Sequence, residues 1–161
     1  MYKRQDHDGL EKVLLVGNAN VGKSVIFGYL TGRYVTVSNY PGTTVEVSRG
    51  KATINKKVYS VIDTPGVNSL LPMSEDEEVT RNILLDESHD RVLQVADAKN
   101  LKRSLLITLQ LAEMGLPFVL DLNLFDEAES RGVKIDIKKL SERLGVDVAA
   151  TVATRKKGMD K

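Results

Sequence analysis

Cysteine is missing from all 161 residues, so neither a disulfide nor a thiolate metal site is open to this chain, a usage that suits a reducing cytosol. Long hydrophobic runs are missing too, since no apolar stretch approaches the ~20 residues needed to cross a bilayer. Nor is there an excess of one charge: 23 Lys and Arg stand against 22 Asp and Glu, for a net charge of +1. Such a balance gives no broad electrostatic footprint for nucleic acid or a membrane surface, and no nucleic-acid partner is expected. The opening residues, Met1-Tyr2-Lys3-Arg4-Gln5-Asp6-His7-Asp8, lack an apolar signal region and read as a polar tail over residues 1–11. No internal repeat or low-complexity segment is visible. What remains is a globular composition, 42% apolar, in a length that fits one domain around one core.

The most informative stretch is Gly17-Asn18-Ala19-Asn20-Val21-Gly22-Lys23-Ser24, followed by Val25. It has the spacing G-x-x-x-x-G-K-[ST], and it lies between an apolar strand, Val13–Val16, and an apolar helical run, Val25–Leu30, the context in which that spacing carries meaning. Glycines let the backbone turn tightly and bring its N–H groups onto phosphate oxygens. The helix that opens near Lys23 presents unpaired N–H groups and a positive dipole end to the same anion. Lys23 is placed to neutralise β- and γ-phosphates, and the Ser24 hydroxyl to ligate Mg²⁺. A nucleoside triphosphate site is the reading.

Along the rest of the chain, Thr31–Thr44 is rich in turn formers and reads as a long functional loop. Val45–Ile54 and Lys57–Ile62, separated by Asn55-Lys56, read as a β-hairpin ending in Asp63-Thr64-Pro65-Gly66. Ser74 and Glu77 have capping-box spacing and open a helix to about Asp86; the acidic cluster there is read as a helix start rather than a metal site. Val92–Ala96 predicts a strand, Leu101–Ala112 a helix stopped by Gly115, and Pro117–Leu122 an apolar strand of a sheet buried on both faces. Helical character returns near Asp126–Arg131. A helix over Ile137–Leu144, capped by Asp136 and stopped by Gly145, precedes a last strand, Val146–Val152. The alternation of strand and helix predicts a parallel-rich α/β sheet. A final helix packing back on the sheet is expected after the last strand, but only Ala153–Lys161 remains. That helix is read as missing or truncated, with a longer parent protein or a covering partner as the two explanations.

Three further features narrow the nucleotide to guanine. Asp63 follows a strand, where it can hold Mg²⁺ through water, and the Gly66 N–H can sense a γ-phosphate. Thr44 can complete the Mg²⁺ shell when a γ-phosphate is present. In Asn123-Leu124-Phe125-Asp126, the Asp126 carboxylate can accept both guanine N1–H and the exocyclic amine, a pair that adenine lacks, while Asn123 can tie this loop to the phosphate loop. Leu124 stands where an Asn-Lys-x-Asp motif has Lys. Ala150-Thr151-Val152-Ala153 is similar to the last base-contacting loop, with Val152 in place of the usual Ser. Base contacts are therefore expected to be few, nucleotide affinity modest and exchange fast.

These motifs, with Ser38-Asn39-Tyr40-Pro41-Gly42-Thr43-Thr44-Val45-Glu46, Val95-Ala96-Asp97-Ala98, Asn100-Leu101-Lys102-Arg103 and Asn123–Ala128, make the chain resemble the GTPase domains of the prokaryotic ferrous-iron transport protein FeoB family, from about Lys12 to Gly158. Ala19 and Ser38 depart from the family's usual Pro and Gly. The resemblance implies a P-loop NTPase fold of the Ras-like small-GTPase type, a mostly parallel central sheet flanked by helices. It implies a GTPase domain over residues 12–158, with 159–161 as its C-terminal end. It also implies a place on the cytoplasmic face of the bacterial cell membrane, GTP and GDP as ligands, and attachment to the helical and transmembrane parts of a longer transporter. Self-association is left open. With no Cys and only His7 and His89, no ligand cluster for Fe²⁺ is visible in this chain.

Where small GTPases often carry a water-orienting Gln after the Asp-x-x-Gly glycine, this chain has Val67, so another positive charge must meet the charge developing between the β- and γ-phosphates. The resemblance implies a potassium ion there, with Asn20 as side-chain ligand and the Ser38 and Tyr40 carbonyls completing its site; a purely structural Asn20 is the competing reading. The expected catalytic group is thus Asn20, Lys23, Thr44 and Gly66. Other readings share the phosphate loop: an assembly or RNA-associated GTPase, a nucleotide switch with negligible hydrolysis, and, least in keeping with the Asn123–Asp126 loop, an adenylate-type kinase.

Overall fold

A computed structural model describes residues 10–32, 35–86 and 91–152. Among these residues, seven strands form one sheet in the order β2-β3-β4-β1-β5-β6-β7. They are β1 (Glu11–Gly17), β2 (Val35–Asn39), β3 (Glu46–Ile54), β4 (Lys57–Asp63), β5 (Arg91–Asp97), β6 (Phe118–Asn123) and β7 (Val148–Ala150). Five α-helices accompany them: α1 (Lys23–Thr31), α2 (Glu75–Asp86), α3 (Leu101–Glu113), α4 (Phe125–Ser130) and α5 (Ile137–Leu144). The pairs β4–β1, β1–β5, β5–β6 and β6–β7 are parallel, and β2 and β3 extend the sheet antiparallel.

Strand alternation decides the layers. On β1, Val13 and Leu15 point to one face and pack with Ile26 and Phe27 of α1, joined by Val61 and Val95. Leu14 and Val16 point to the other and meet Val79, Ile83, Ile107 and Leu111 of α2 and α3. A third cluster, around Ala96, Leu120 and Leu122, is covered by Ala128 of α4 and by Ile137, Leu140 and Leu144 of α5. With strands lying on both its sides, β1 is a strand where the sheet order reverses, and ligands of open α/β sheets bind at the carboxyl ends of such strands.

Most expected elements are present, several longer than read. The hairpin turn has Asn55 at φ 50 and Lys56 at φ 66, both left-handed, as a two-residue turn with the strands' own twist requires. Ser74 caps α2, its hydroxyl accepting from the Glu77 N–H at 3.3 Å and donating to the Glu77 carboxylate at 3.0 Å. Asp136 caps α5 through the Lys139 N–H at 3.0 Å, and Gly145 ends it at φ 69.

Two readings are corrected. Thr31–Thr44 is not all loop: Val35–Asn39 is an edge strand on β3, and all five of its residues are exposed. With no inward face it had no alternation to show, and backbone pairing alone makes it a strand. The last strand is shorter than Val146–Val152, spanning Val148–Ala150. The helix read over Leu101–Ala112 is present as α3, and its buried face includes, beside Ile107 and Leu111, Ser104 and Thr108. Those two satisfy the buried Gln94 of β5: the Gln94 amide donates to the Ser104 carbonyl at 2.9 Å and the Thr108 hydroxyl donates to Gln94 Oε1 at 2.7 Å. The expected final helix, Ala153 and both histidines lie outside the described residues. No helix among the described residues is long and apolar enough to cross a membrane.

Candidate functional site

The loop between β1 and α1 is held in shape by close approaches that only glycine permits. A Cβ on Gly17 would sit 2.3 Å from the Val95 carbonyl oxygen, so β1 can run this close to β5 only without a side chain there. Gly22 has φ 87, and a Cβ on it would lie 2.1 Å from Asn123 Nδ2. Asn20 is also left-handed, at φ 63, and is exposed with Ala19 on the outer side of the loop. Gly22 caps α1 with no side-chain hydrogen bond, so the first turn of the helix, carrying Lys23, Ser24 and Val25, keeps its N–H groups for a ligand. Ser24 and Val25 are exposed, whereas Lys23 is buried.

Lys23 does not wait uncommitted. Its ammonium pairs with the Asp63 carboxylate at the end of β4 and donates to the Thr64 carbonyl. The turn after Asp63 is stitched to β1: the Thr64 hydroxyl donates to the Leu15 carbonyl at 2.6 Å and the Val67 N–H to the Gly17 carbonyl at 3.0 Å. Asn18 Nδ2 in turn donates to the Val67 carbonyl at 3.0 Å, while its Oδ1 is a buried oxygen with no hydrogen-bond partner among the described residues. Gly66 packs on the phosphate loop, where a Cβ would be 2.8 Å from Ala19 Cα. Val67 is buried in the core beneath α2 and α3, so it cannot orient a water. Beyond it, Gln110 of α3 clasps the chain, donating to Ser69 Oγ at 2.9 Å and accepting from the Leu70 N–H at 2.7 Å.

The second half of the site joins β6 and β7 to this loop. Asn123, at the end of β6, donates from Nδ2 to the Val21 carbonyl at 2.9 Å. The two neighbouring loops are sewn together, with the Thr151 N–H donating to the Leu122 carbonyl at 2.9 Å and the Phe125 N–H to the Thr151 carbonyl at 3.2 Å. That places Ala150, at the end of β7, and buried Val152 beside the segment carrying Leu124 and Asp126. Leu124 is left-handed at φ 58 and caps α4, with Asp126 in the first turn of that helix.

The segment with Ser38, Tyr40 and Thr44 is occupied with its own contacts. Ser38 is fixed in β2 opposite Val47. The Tyr40 carbonyl accepts from the Thr43 N–H at 3.0 Å and from the Thr43 hydroxyl at 2.8 Å. The Thr44 N–H donates to the Glu75 carboxylate at 2.8 Å. Tyr40, Thr43, Met73, Glu75 and Glu78 line an open cleft of 660 Å³ between this segment and α2, apart from the phosphate loop.

The donor sets can be weighed against the expected ions. Ser24, Thr44 and Asp63 offer hydroxyl and carboxylate oxygens, the hard donors that suit Mg²⁺, and the Lys23 ammonium already places a positive charge on Asp63. The potassium set fits less readily, because the Tyr40 carbonyl is engaged twice by Thr43. Sequence reasoning passed over Glu75, hidden in a helix-start reading, and over Asp121 and Thr151. Asp121 was signalled by a lone charge in an otherwise apolar strand. It is 4% exposed, and burial pushes its carboxyl up to about 6, against the pull of a hydrogen bond from Thr151.

Comparison with known proteins places the chain. The family model described as ferrous iron transport protein B matches residues 11–161. The Fe(2+) transporter FeoB of Staphylococcus aureus is 40% identical over 149 residues, covering 92% of this chain but 22% of that protein. A point mutant of S. thermophilus NFeoB bound to GDP superposes with a TM-score of 0.88 at 41% identity, over 94% of this chain and 59% of that one. The cytosolic domain of the T. maritima FeoB iron transporter in its GMPPNP form gives a TM-score of 0.90 at 38% identity, over 94% and 60%. The fold is that of a P-loop NTPase, with a mostly parallel sheet flanked by helices.

Proposed function

The chain belongs to the ferrous iron transport protein B family, and on that premise we propose that it binds GTP and GDP and hydrolyses GTP slowly, with potassium assistance, as the cytoplasmic regulatory domain of a membrane transporter for ferrous iron. The observation that carries this reading is the hydrogen bond from Asn123 to the Val21 carbonyl, which draws a guanine-type loop onto a phosphate-binding loop. In this reading Lys23 gives up Asp63 for β- and γ-phosphate oxygens, and the backbone N–H groups of Gly17–Val25 surround them. Asp126 accepts from guanine N1–H and the exocyclic amine, and Ala150, Val152 and Ala153 border the base with few polar contacts. Mg²⁺, held by Ser24, Thr44 and Asp63, supplies charge neutralisation at the phosphates. The Gly66 N–H senses the γ-phosphate.

Val67 is buried and apolar, so help with the developing charge has to come from elsewhere. Asn20, exposed on the outer side of the loop, is the candidate side chain for potassium, with the carbonyls of Ser38 and Tyr40 recruited once the Thr43 turn opens. The chain spans 22% of the length of its Staphylococcus relative, and in this reading the helical and membrane portions and the handling of the ferrous ion as cargo belong to a longer protein. A second reading, a switch with negligible hydrolysis, is favoured by the Thr44–Glu75 contact, which occupies the segment expected to close over the γ-phosphate.

GTP turnover in potassium chloride against sodium chloride at matched ionic strength decides between the two. A severalfold potassium advantage that disappears in Asn20→Ala supports the enzyme reading. Equal and negligible rates with intact GTP binding support the switch. A potassium advantage that survives Asn20→Ala removes Asn20 from the ion's site.

A further inference from the structure

Three charges that the proposed chemistry does not use meet where β5 and β6 end. The two strands stop level with one another, Asp97 opposite Asn123. Past Asp97 the chain makes a single 3₁₀ turn, Ala98–Asn100, and past Asn123 it enters α4 through Leu124. The two exits are joined twice. By apolar contact, Ala98 and Ala128 are buried in one cluster. By charge, the Lys99 ammonium pairs with the Glu127 carboxylate in the first turn of α4 and lies 3.3 Å from Asp97 Oδ2. Asp97 Oδ1 also accepts from the Lys99 N–H at 2.9 Å, so Lys99 is fixed to the end of β5 through both backbone and side chain.

Glu127 directly follows Asp126, the residue assigned to the guanine edge, and the Glu127 N–H donates to the Leu124 carbonyl at 3.1 Å. The pair from Lys99 therefore lands on the turn that carries Asp126. Its weight comes from partial burial, since the Lys99 side chain is 16% exposed, against 51% for Glu127. An ammonium drawn this far from water is costly to leave unpaired, whereas a fully exposed pair adds little. Without that ammonium, Asp97 and Glu127, both within its reach, would oppose one another as like charges. Lys99 thus turns a repulsion between the two exits into an attraction. The second position of the Asn123–Asp126 loop, Leu124, carries no charge, so this cation comes to the loop from the neighbouring strand.

We infer that Lys99 is a positioning residue for guanine recognition, its ion pair with Glu127 fixing the first turn of α4 and with it the carboxylate of Asp126. This inference rests on the guanine-nucleotide reading. In that reading Asp126 meets two donors of the base at once, N1–H and the exocyclic amine. A two-point contact is lost by a small tilt of the turn that a one-point contact survives. Hypoxanthine has the N1–H and lacks the amine, so preference for guanine over hypoxanthine is the property that such a tilt removes first.

The test measures affinities for GDP and inosine diphosphate by calorimetry in the wild type, Lys99→Met, Lys99→Arg and Glu127→Ala. The two ligands carry the same phosphates, so a change of charge near the site cancels in their ratio. Lys99→Met is expected to weaken GDP binding about fivefold and to lower the preference for GDP over inosine diphosphate about threefold, part of one hydrogen bond's worth. Glu127→Ala, which cuts the pair at its half-exposed end, should move the preference the same way, and it decides alone should Lys99→Met fail to fold. Lys99→Arg, whose guanidinium can hold both carboxylates, should keep the wild-type preference. An unchanged preference in Lys99→Met and Glu127→Ala overturns the inference even if both melt at lower temperature, since a merely structural pair changes stability and not the choice of base. A wild type that binds neither ligand takes down the nucleotide reading and this inference with it; one that binds both, in a ratio the variants leave alone, takes down the inference only.

Discussion

At the carboxyl ends of β1 and β4 the site is closed by charge: the Lys23 ammonium lies on Asp63 and Thr64. At the carboxyl ends of β6 and β7 it is closed by hydrogen bonds running from Thr151 and Asn123 into the phosphate loop. The two ends answer a ligand differently. A partly buried ion pair is stable only until a better partner comes, and a polyphosphate with its cation offers Lys23 and Asp63 one each. The contacts at the other end are hydrogen bonds between loops, from Asn123 to Val21, Thr151 to Leu122 and Phe125 to Thr151. One end is thus held by an ion pair that a ligand would have to re-pair, and the other by hydrogen bonds that fix loop to loop.

Removing one partner at the charged end breaks this comparison most severely. Lys23→Met leaves Asp63 without its cation and takes away the phosphate ligand, and GDP affinity is expected to fall by about a hundredfold or more, read by calorimetry. Thermal stability should fall with it. A small change in both would mean that the ion pair is incidental. At the base end the expected effect is on selection. Asp126→Asn replaces two acceptors with one acceptor and one donor, which match the N1–H and 2-oxo group of xanthine. Competition assays should show preference moving from guanine to xanthine nucleotides by about tenfold, one well-placed polar group's worth. An unchanged preference would place Asp126 away from the base.

The smallest effect concerns the frame rather than the contacts. Leu124 is held at φ 58, a conformation that costs a side chain with a Cβ about 1 kcal/mol. Leu124→Gly should raise the unfolding free energy by a fraction of that amount in a denaturant titration, offset by the greater freedom of the unfolded chain. A clear loss of stability would show that the Leu124 side chain contributes packing that outweighs its strain.

What the sequence disclosed follows from how locally each feature is written. The phosphate loop, the cap at Ser74–Glu77, the Asn55-Lys56 turn and the α5 caps depend on residues within a few positions of one another, and each could be read directly. The edge strand Val35–Asn39 could not, because exposed on both faces it shows no hydrophobic period. The polar face of α3 was hidden for a related reason, since Ser104 and Thr108 are buried only because Gln94 lies opposite them. In the site, Gly17, Gly22 and Lys23 announced themselves by spacing. The partnership of Asp121 with Thr151, thirty positions apart, exists only once β6 and β7 lie side by side.

The hydrogen bonds around Val67 have a mechanical consequence. Both ends of this residue's peptide are pinned to the phosphate loop, by Gly17 and by Asn18, and its side chain is sunk in the core. Two residues further on, the chain is clasped again by Gln110 in the last turn of α3. The short segment between behaves as a strut, fixed at one end to the phosphate cradle and at the other to a helix whose outer face carries exposed Leu106 and Leu109. A displacement of the cradle by even a fraction of an ångström therefore has a stiff path to the far side of the sheet.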